Sequence, residues 1–198
     1  MLSAKDKKHH FSKWKLFKDK GIHLISIFEQ DWLFKQNKVK TILQDFLLPK
    51  NKVYARDTIV REVDKSIARV FLEHYHFDGD AKQGTITLGL FSNDTQSLLS
   101  VMTLGHLRGQ NKDHFNNDFY EIVRFATVPQ TTVVGGASKL LSYFCKFFSP
   151  HYILSYSDND FFFGDTYSKL GFSLTSEGWE SVDYQWVKKD LTKVFSRH

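Results

Sequence analysis

Hydrophobic and polar residues alternate with two periods along this chain, and the switches between the periods mark the predicted strands and helices. Residues 22–28 alternate and are rich in β-branched side chains, which predicts a strand. A helical pattern follows over residues 32–47 and ends before Pro49, and the polar residues 50–52 predict a linker. Because one strand and one helix cannot bury a core by themselves, we expect residues 21–52 to be an appendage that docks on the rest of the chain or on another chain.

Residues 53–198 carry a longer succession of patterns that predicts one α/β domain. The predicted strands are residues 53–63, 84–91, 98–107, 120–128, 152–156, 172–175 and 184–188. The predicted helices are residues 65–75, which Asp64 caps, 137–148 and 163–170. The second and third strands form a hairpin, and residues 109–118 and 130–136 predict loops. This order predicts a mixed central sheet flanked by helices.

The composition excludes several classes of protein. With 198 residues, of which 41% are hydrophobic and 25% charged, the chain can form one domain with an appendage and is not wholly disordered. No apolar run approaches the roughly 20 residues of a membrane span, and the N-terminus lacks the apolar stretch of a secretory signal. The single cysteine, Cys145, excludes an internal disulfide and is expected to be inert core. We therefore expect a cytoplasmic protein.

Charge is concentrated at the N-terminus. Seven lysines and two aspartates give residues 1–20 a formal charge of +5, which equals the net charge of the whole chain. Because lysines near phosphates release counterions, we expect this basic arm to contact a polyanion such as a nucleic acid. A solvated, partly disordered terminus is the alternative. The lysines expected to make the contact are Lys7, Lys8, Lys13, Lys15 and Lys18.

Two glycines precede the second predicted helix of the domain. Glycines let the backbone approach a ligand closely, and the N–H groups and dipole of a helix N-terminus favour an anion such as a pyrophosphate. A tight turn with no ligand is the alternative. The candidate cofactor-binding residues are Val128, Thr132, Gly135, Gly136, Ala137 and Ser138.

Polar side chains also occur at the ends of predicted elements. His74 and Tyr75 close the first helix of the domain, Arg124 lies within the fourth strand, Asp158 follows the fifth, and Tyr167 lies in the last helix. We expect the carboxyl ends of the fourth and fifth strands to splay apart, so that these groups converge on one cleft. A base, an acid and a cation together suit transfer of a group to an amine, because the base takes the amine proton while the cation stabilises the developing oxyanion.

Three of these residues also have a structural interpretation. His74 can be a favourable C-terminal cation or a surface residue, Arg124 can pair with Glu121 or Asp118, and Asp158 can be a loop acid or a helix cap. Imidazole, carboxylate and phenolate groups are also ligands for iron, but the spacing supports no metal site.

Residues 53–190 resemble the GNAT acyltransferase superfamily. The resemblance rests on the strand–loop–helix of residues 128–141, on the Tyr-x-x-Leu-Gly-Phe motif at residues 167–172, and on the hairpin of residues 84–107. It implies a GNAT-like fold that uses acetyl-CoA or another acyl-CoA-like donor. The sequence departs from the family pattern at Thr132, where Arg or Gln is usual.

The polar residues further resemble the phage Mom-type branch of GNAT-like proteins. That resemblance implies modification of the exocyclic amino group of adenine in double-stranded DNA, which protects DNA from restriction, in the cytoplasm of a host cell. It implies Asp158 or His74 as base, Tyr167 as acid or orienting group, and Arg124 as clamp. An exposed aromatic run at residues 161–163 would suit a flipped base, although core or lid is the alternative. The residues that carry over are His74, Tyr75, Arg124, Ser138, Asp158 and Tyr167.

Two other functions stay open from the sequence. One is a GNAT N-acetyltransferase that acts on a protein or a small amine. The other is a non-catalytic DNA-binding module, because residues 21–32 and the following helix resemble the last strand and helix of a Vsr-like or restriction-type nuclease, as found in phage homing endonucleases. In that fold the strands with the metal-binding acids lie upstream, so we expect residues 1–48 to be a nuclease remnant or a DNA-contacting appendage, without nuclease activity.

Overall fold

The computed structural model describes residues 9–82, 84–107, 118–174, 186–187 and 194–195. They fall into two compact units. One lies within residues 37–156 and is called the sheet unit, and the other lies within residues 1–36 and 157–198 and is called the terminal unit. The division into arm, appendage and transferase domain remains a prediction.

The helices, in chain order, are α1 (His9–Lys18), α2 (Glu29–Phe34), α3 (Gln36–Leu47), α4 (Lys65–Tyr75), α5 (Gly136–Phe148) and α6 (Asp165–Lys169). The strands are β1 (Asn51–Tyr54), β2 (Thr58–Glu62), β3 (Ile86–Ser92), β4 (Leu98–His106), β5 (Phe119–Thr127), β6 (Thr131–Val134), β7 (Tyr152–Ser155), β8 (Trp186–Val187) and β9 (Val194–Phe195).

The sheet unit is built on a five-stranded mixed sheet with the order β2-β3-β4-β5-β7. Strands β2 to β5 are antiparallel to their neighbours, including the predicted β3–β4 hairpin, and β7 is parallel to β5. The predicted α/β class, a mixed sheet flanked by helices, is therefore confirmed.

Helix α4 covers one face of this sheet. Asp64 caps it as predicted, since its carboxylate accepts the Ser66 N–H at 2.7 Å. The apolar side of α4 packs on Val101 and Ala126 in one buried cluster. These two residues lie directly opposite each other on β4 and β5, so one helix seals the middle of the sheet.

Helix α5 covers the opposite face. Leu90 of β3 pairs with Ser100, the neighbour of Val101 in β4, so its side chain points away from α4 because adjacent strand residues point to opposite sides. It lies beneath the N-terminus of α5. A methyl group on Gly136 would come within 2.9 Å of Leu90 Cδ1 and 2.8 Å of Val133 Cγ1, so glycine permits this close packing. Leu140 and Phe144 are fully buried, and Tyr120 meets Phe144 edge to face at 5.0 Å.

The N-terminal segment differs from its prediction. Residues 22–28 form no strand, because their backbone makes isolated hydrogen bonds rather than a ladder: Ile22 N–H donates to Phe17 and Ser26 N–H to Asp160. The predicted helix over residues 32–47 is two helices, α2 and α3, separated at Lys35, whose φ of −128° is not helical. Part of the appendage does dock, because Asp45 of α3 accepts the Gln130 N–H at 2.7 Å.

One strand prediction and one loop prediction in the sheet unit were wrong. The single strand predicted over residues 53–63 is divided by a 3₁₀ turn at Ala55–Asp57, so β1 and β2 join different sheets. The loop predicted over residues 130–136 contains strand β6, which pairs in parallel with β1. The pairing gives the backbone groups of both short strands partners that a loop would not supply.

The predictions for the C-terminal elements and for Cys145 were partly wrong. The last predicted helix is shorter, and Phe172–Leu174 form no strand. Within the predicted strand 184–188, β8 pairs with β9, not with the central sheet. The remaining residues of these two predicted strands, and residues 109–117 of a predicted loop, lie outside the described residues. Cys145 is exposed rather than core, since it lies on the outer side of α5.

No helix in the described part of the chain combines the length and the apolar character needed to cross a membrane.

Two phenylalanines of α5 provide a test of this packing. We expect Phe144→Ala to lower the free energy of unfolding by about 3–5 kcal/mol, because a fully buried ring leaves a cavity. Phe147 is 59% exposed, so Phe147→Ala should change stability by no more than about 0.5 kcal/mol. Equal losses for the two variants in urea unfolding would contradict the orientation of α5.

Candidate functional site

A β-bulge in strand β5 determines where Arg124 points. Thr103 of β4 pairs with Arg124, and the next β4 residue, Leu104, pairs with Ile122, so Val123 is an extra residue in β5. A bulge of this kind bends the strand and changes the side on which the following side chains lie. Arg124 therefore shares the α4 face with Ala126, whereas a regular strand would place it on the α5 face with Ile122.

Arg124 is held by backbone oxygens. Its Nε donates to the Gly79 carbonyl at 3.1 Å and its Nη1 donates to the Val123 carbonyl at 2.9 Å. Gly79 has a positive φ of +70° in the turn that follows α4, and the Asp80 N–H of this turn donates to Glu73 Oε1 at 3.1 Å. The half-buried guanidinium thus links the turn after α4 to the bulge through these two hydrogen bonds.

Strand pairing changes at the same place. The parallel pairing of β5 with β7 runs from Phe119 to Ile122 and ends at Ser155. Beyond Ile122, the described strands pair with β5 on its β4 side only. The outer edge of residues 123–127 is therefore left without a strand partner in the described chain, and the splaying of the two strands remains a prediction.

His74 and Tyr75 lie at the C-terminal end of α4, and both are exposed. His74 Nδ1 lies 2.9 Å from the Val70 carbonyl of its own helix. A carbonyl can only accept, so Nδ1 carries the proton and Nε2 is the atom available as a base. The Tyr75 ring packs edge to face on Phe71 at 4.8 Å.

The candidate cofactor residues surround the start of α5. Gly135 precedes the helix with φ +77°, and no side chain caps the N-terminus. Ser138 in the first turn is exposed, and so is Thr132 on β6, whereas Val128, Ala137 and Gly136 are half-buried or buried. Because α4 and α5 cover opposite faces, Ser138 and Arg124 belong to opposite sides of the sheet.

Lys139 was missed by the sequence analysis. Its ammonium donates to the Ala55 carbonyl at 2.7 Å and to the Thr58 carbonyl, which fixes the 3₁₀ turn between β1 and β2 to α5. No motif identifies this lysine, because its partners are backbone atoms distant in the sequence.

Asp158 and Tyr167 belong to the terminal unit. Asp158 is exposed, and its Oδ1 accepts the Asp160 N–H at 2.9 Å, a contact within the loop that fits the loop-acid alternative. Tyr167 is half-buried and meets Phe172 edge to face at 5.6 Å. The convergence of these two residues with Arg124 remains a prediction.

The aromatic run of residues 161–163 divides into two environments. Phe161 is 1% exposed and is core, whereas Phe162 is 44% exposed. Phe163 stacks on His23 at 4.3 Å, and His23 Nε2 lies 2.7 Å from the Phe161 carbonyl. Only Phe162 therefore presents a large part of its ring as a stacking surface.

The basic arm is helical from His9 to Lys18, so it is not a disordered terminus over these residues. Lys13 and Lys15 are exposed. The ammonium of Lys18 instead lies over the Trp14 ring at 4.6 Å and donates to the Phe163 carbonyl at 3.4 Å. Lys7 and Lys8 lie outside the described residues.

Among the described residues there is no group of three or more His, Cys, Asp and Glu side chains placed to hold a metal ion. No protein-family model matches the sequence, and no curated protein matches it either.

Asp160 is a titratable residue that the sequence analysis did not select. Burial, with the carboxylates of Asp158 and Asp31 nearby, raises its pKa from 3.8 to about 6. A carboxyl group with such a pKa can accept a proton near neutral pH, which is the property required of a general base. Asp160 could not be selected from the sequence, because its raised pKa depends on burial in the folded protein.

The raised pKa of Asp160 predicts a pH-dependent stability. Between about pH 4 and pH 6 the folded protein holds this proton while the unfolded chain has released it, so the contribution of Asp160 to stability falls as the pH rises through this window. The melting temperature of Asp160→Asn should therefore exceed that of the wild type at pH 7, and the difference should shrink towards pH 4. Exposed Asp165 provides the control Asp165→Asn, and a pH-independent difference for Asp160→Asn would contradict the assignment.

Proposed function

We propose that this protein is a transferase of the Mom type, which transfers a group to the exocyclic amine of adenine in DNA. The proposal depends chiefly on one observation, the end of β5–β7 pairing at the bulge that orients Arg124. This arrangement leaves an open strand edge beside a cation, which supports the proposal of a group-transfer site there. The sequence resemblance supplies the choice of substrate.

The chemistry assigns each group a task. The amine nitrogen forms a bond to the transferred group, the donor's leaving group departs with the electron pair of the broken bond, and a base takes the amine proton. Asp158, Asp160 or His74 Nε2 are the candidate bases, and Tyr167 is the acid or orienting group. Arg124 supplies positive charge for the developing oxyanion or for the substrate.

An acyl-CoA-like donor would supply an activated acyl group. The N-terminus of α5 supports the binding of such a donor's phosphates, because no side chain caps it. Gly135, Ala137 and Ser138 would hold the pyrophosphate. Gly136 serves close packing instead.

The reaction can be tested by mass spectrometry of nucleosides from DNA of cells that express the protein. We expect a new adenine-derived nucleoside, reduced at least about 100-fold by Asp158→Asn and by Arg124→Gln, since loss of acid–base or oxyanion stabilisation typically costs that much. The matched controls are Asp165→Asn and Arg61→Gln, at exposed positions. Folding is checked by circular dichroism.

Other outcomes identify the alternatives. An acetylated protein or small amine formed without DNA would indicate an N-acetyltransferase. Unmodified DNA that is nevertheless bound would indicate a non-catalytic module. Full modification by both site variants would show that these residues are not the site.

The exposed lysines of α1 predict salt-dependent DNA binding. Replacing Lys13 and Lys15 by Gln should reduce the slope of log affinity against log salt by roughly 2, because each phosphate contact contributes about one released counterion. The control, Lys52→Gln with Lys146→Gln, removes two exposed lysines of the sheet unit. An equal loss of slope in the control, measured by fluorescence anisotropy with duplex DNA, would contradict a specific role for α1.

A further inference from the structure

A cavity of about 120 Å³ lies within the sheet unit, between the start of α4, the turn before β3 and the sheet. This volume holds several water molecules or one small ligand. Its polar or charged lining residues are Lys65, Asp80, Lys82, Thr87 and Thr103.

The floor of the cavity is a polar row across the sheet. Thr87 of β3 pairs with Thr103 of β4, and Thr103 pairs with Arg124 of β5, so their side chains share the α4 face. The neighbouring row on that face contains Val101 and Ala126 and belongs to the apolar core. Two buried threonines in the next row are therefore not explained by core packing.

Thr103 supplies the observation that points to a ligand. Its side chain is 3% exposed, and its hydroxyl has no hydrogen-bond partner among the described residues. A buried hydroxyl without a partner is costly, and natural proteins rarely leave one unsatisfied. Gly84 allows the backbone to come close at this point, since a methyl group on it would lie 2.8 Å from Thr103 Cβ.

The charges around the cavity favour an anion. Lys65 and Lys82 outnumber the single carboxylate of Asp80. The Asp80 carboxylate repels an anion, so removing its charge should have the opposite effect on anion binding from removing a lysine.

We infer that this cavity binds a small oxyanion of the size of a phosphate group, with the Thr103 hydroxyl as donor and Lys65 and Lys82 as counter-charges. The site lies on the α4 face, apart from the start of α5, and the inference does not depend on the proposed transferase activity. The phosphate could be a free ion or part of the DNA backbone, and these sources share the same recognition chemistry.

Calorimetric titration with inorganic phosphate, at ionic strength held constant with sodium chloride, tests the site. We expect 1:1 binding to the full-length protein and affinities at least roughly tenfold weaker for Thr103→Val and for Lys65→Gln with Lys82→Gln, because each removes a donor or charge. Asp80→Asn should bind more tightly, since it removes a repulsive carboxylate. Lys52→Gln with Lys146→Gln should bind as the wild type does.

Thr103→Val keeps the shape of the side chain, and removing an unsatisfied hydroxyl should leave the melting temperature without phosphate unchanged or higher. No phosphate binding by the wild type, undiminished binding by Thr103→Val, or weaker binding by Asp80→Asn would each overturn the inference. Equal loss in the two lysine double variants would also overturn it. A DNA affinity lowered by Thr103→Val would identify a backbone phosphate as the source, and an unchanged one a free oxyanion.

Discussion

One extra residue in strand β5 organises the polar face of the sheet unit. The bulge at Val123 turns Arg124 away from the α5 side and towards the α4 side, where its guanidinium meets the Gly79 carbonyl. The same bulge lies where β7 stops pairing with β5. The open strand edge, the cation and its contact with the turn after α4 thus meet at one place, the two-against-one register between β5 and β4.

The interfaces of the sheet with α4 and with α5 differ in the side chains that form them. On the α5 face, apolar side chains such as Leu140 and Phe144 fill the interface, and Gly136 allows the helix to approach closely. On the α4 face, the apolar cluster gives way within one row to threonines and an arginine. Burying polar groups next to an apolar core costs free energy unless they are satisfied, so this row indicates selection for something other than stability.

Much of the architecture could be predicted from local pattern. The β3–β4 hairpin, strand β5 and the Asp64 cap of α4 follow from alternation, turn residues and a capping side chain, all of which act over a few residues. Strand β6 could not be predicted, because residues 130–136 become a strand only through pairing with β1, far away in the sequence. The strand predicted at residues 22–28 did not form for the converse reason, since an alternating pattern requires a partner strand to form a ladder.

The candidate site was less predictable than the fold. Arg124 could be chosen because a charged residue stands out in an apolar strand, but the bulge that directs it has no sequence signature. Thr103 and Asp160 gave no signal, because their importance comes from burial, and burial is a property of the tertiary structure.

The parallel pair of β1 and β6 has a consequence for how the sheet unit folds. Asn51 pairs with Thr131, so nearly all of the central sheet lies between the two partners in the sequence. Closing such a long loop costs chain entropy before the contact contributes any stabilisation, and contacts of high sequence separation slow folding. The antiparallel strands β2 to β5 need only local connections. We therefore expect β1 and β6 to pair last, after the antiparallel strands have assembled, together with the hydrogen bonds of Lys139 to the 3₁₀ turn.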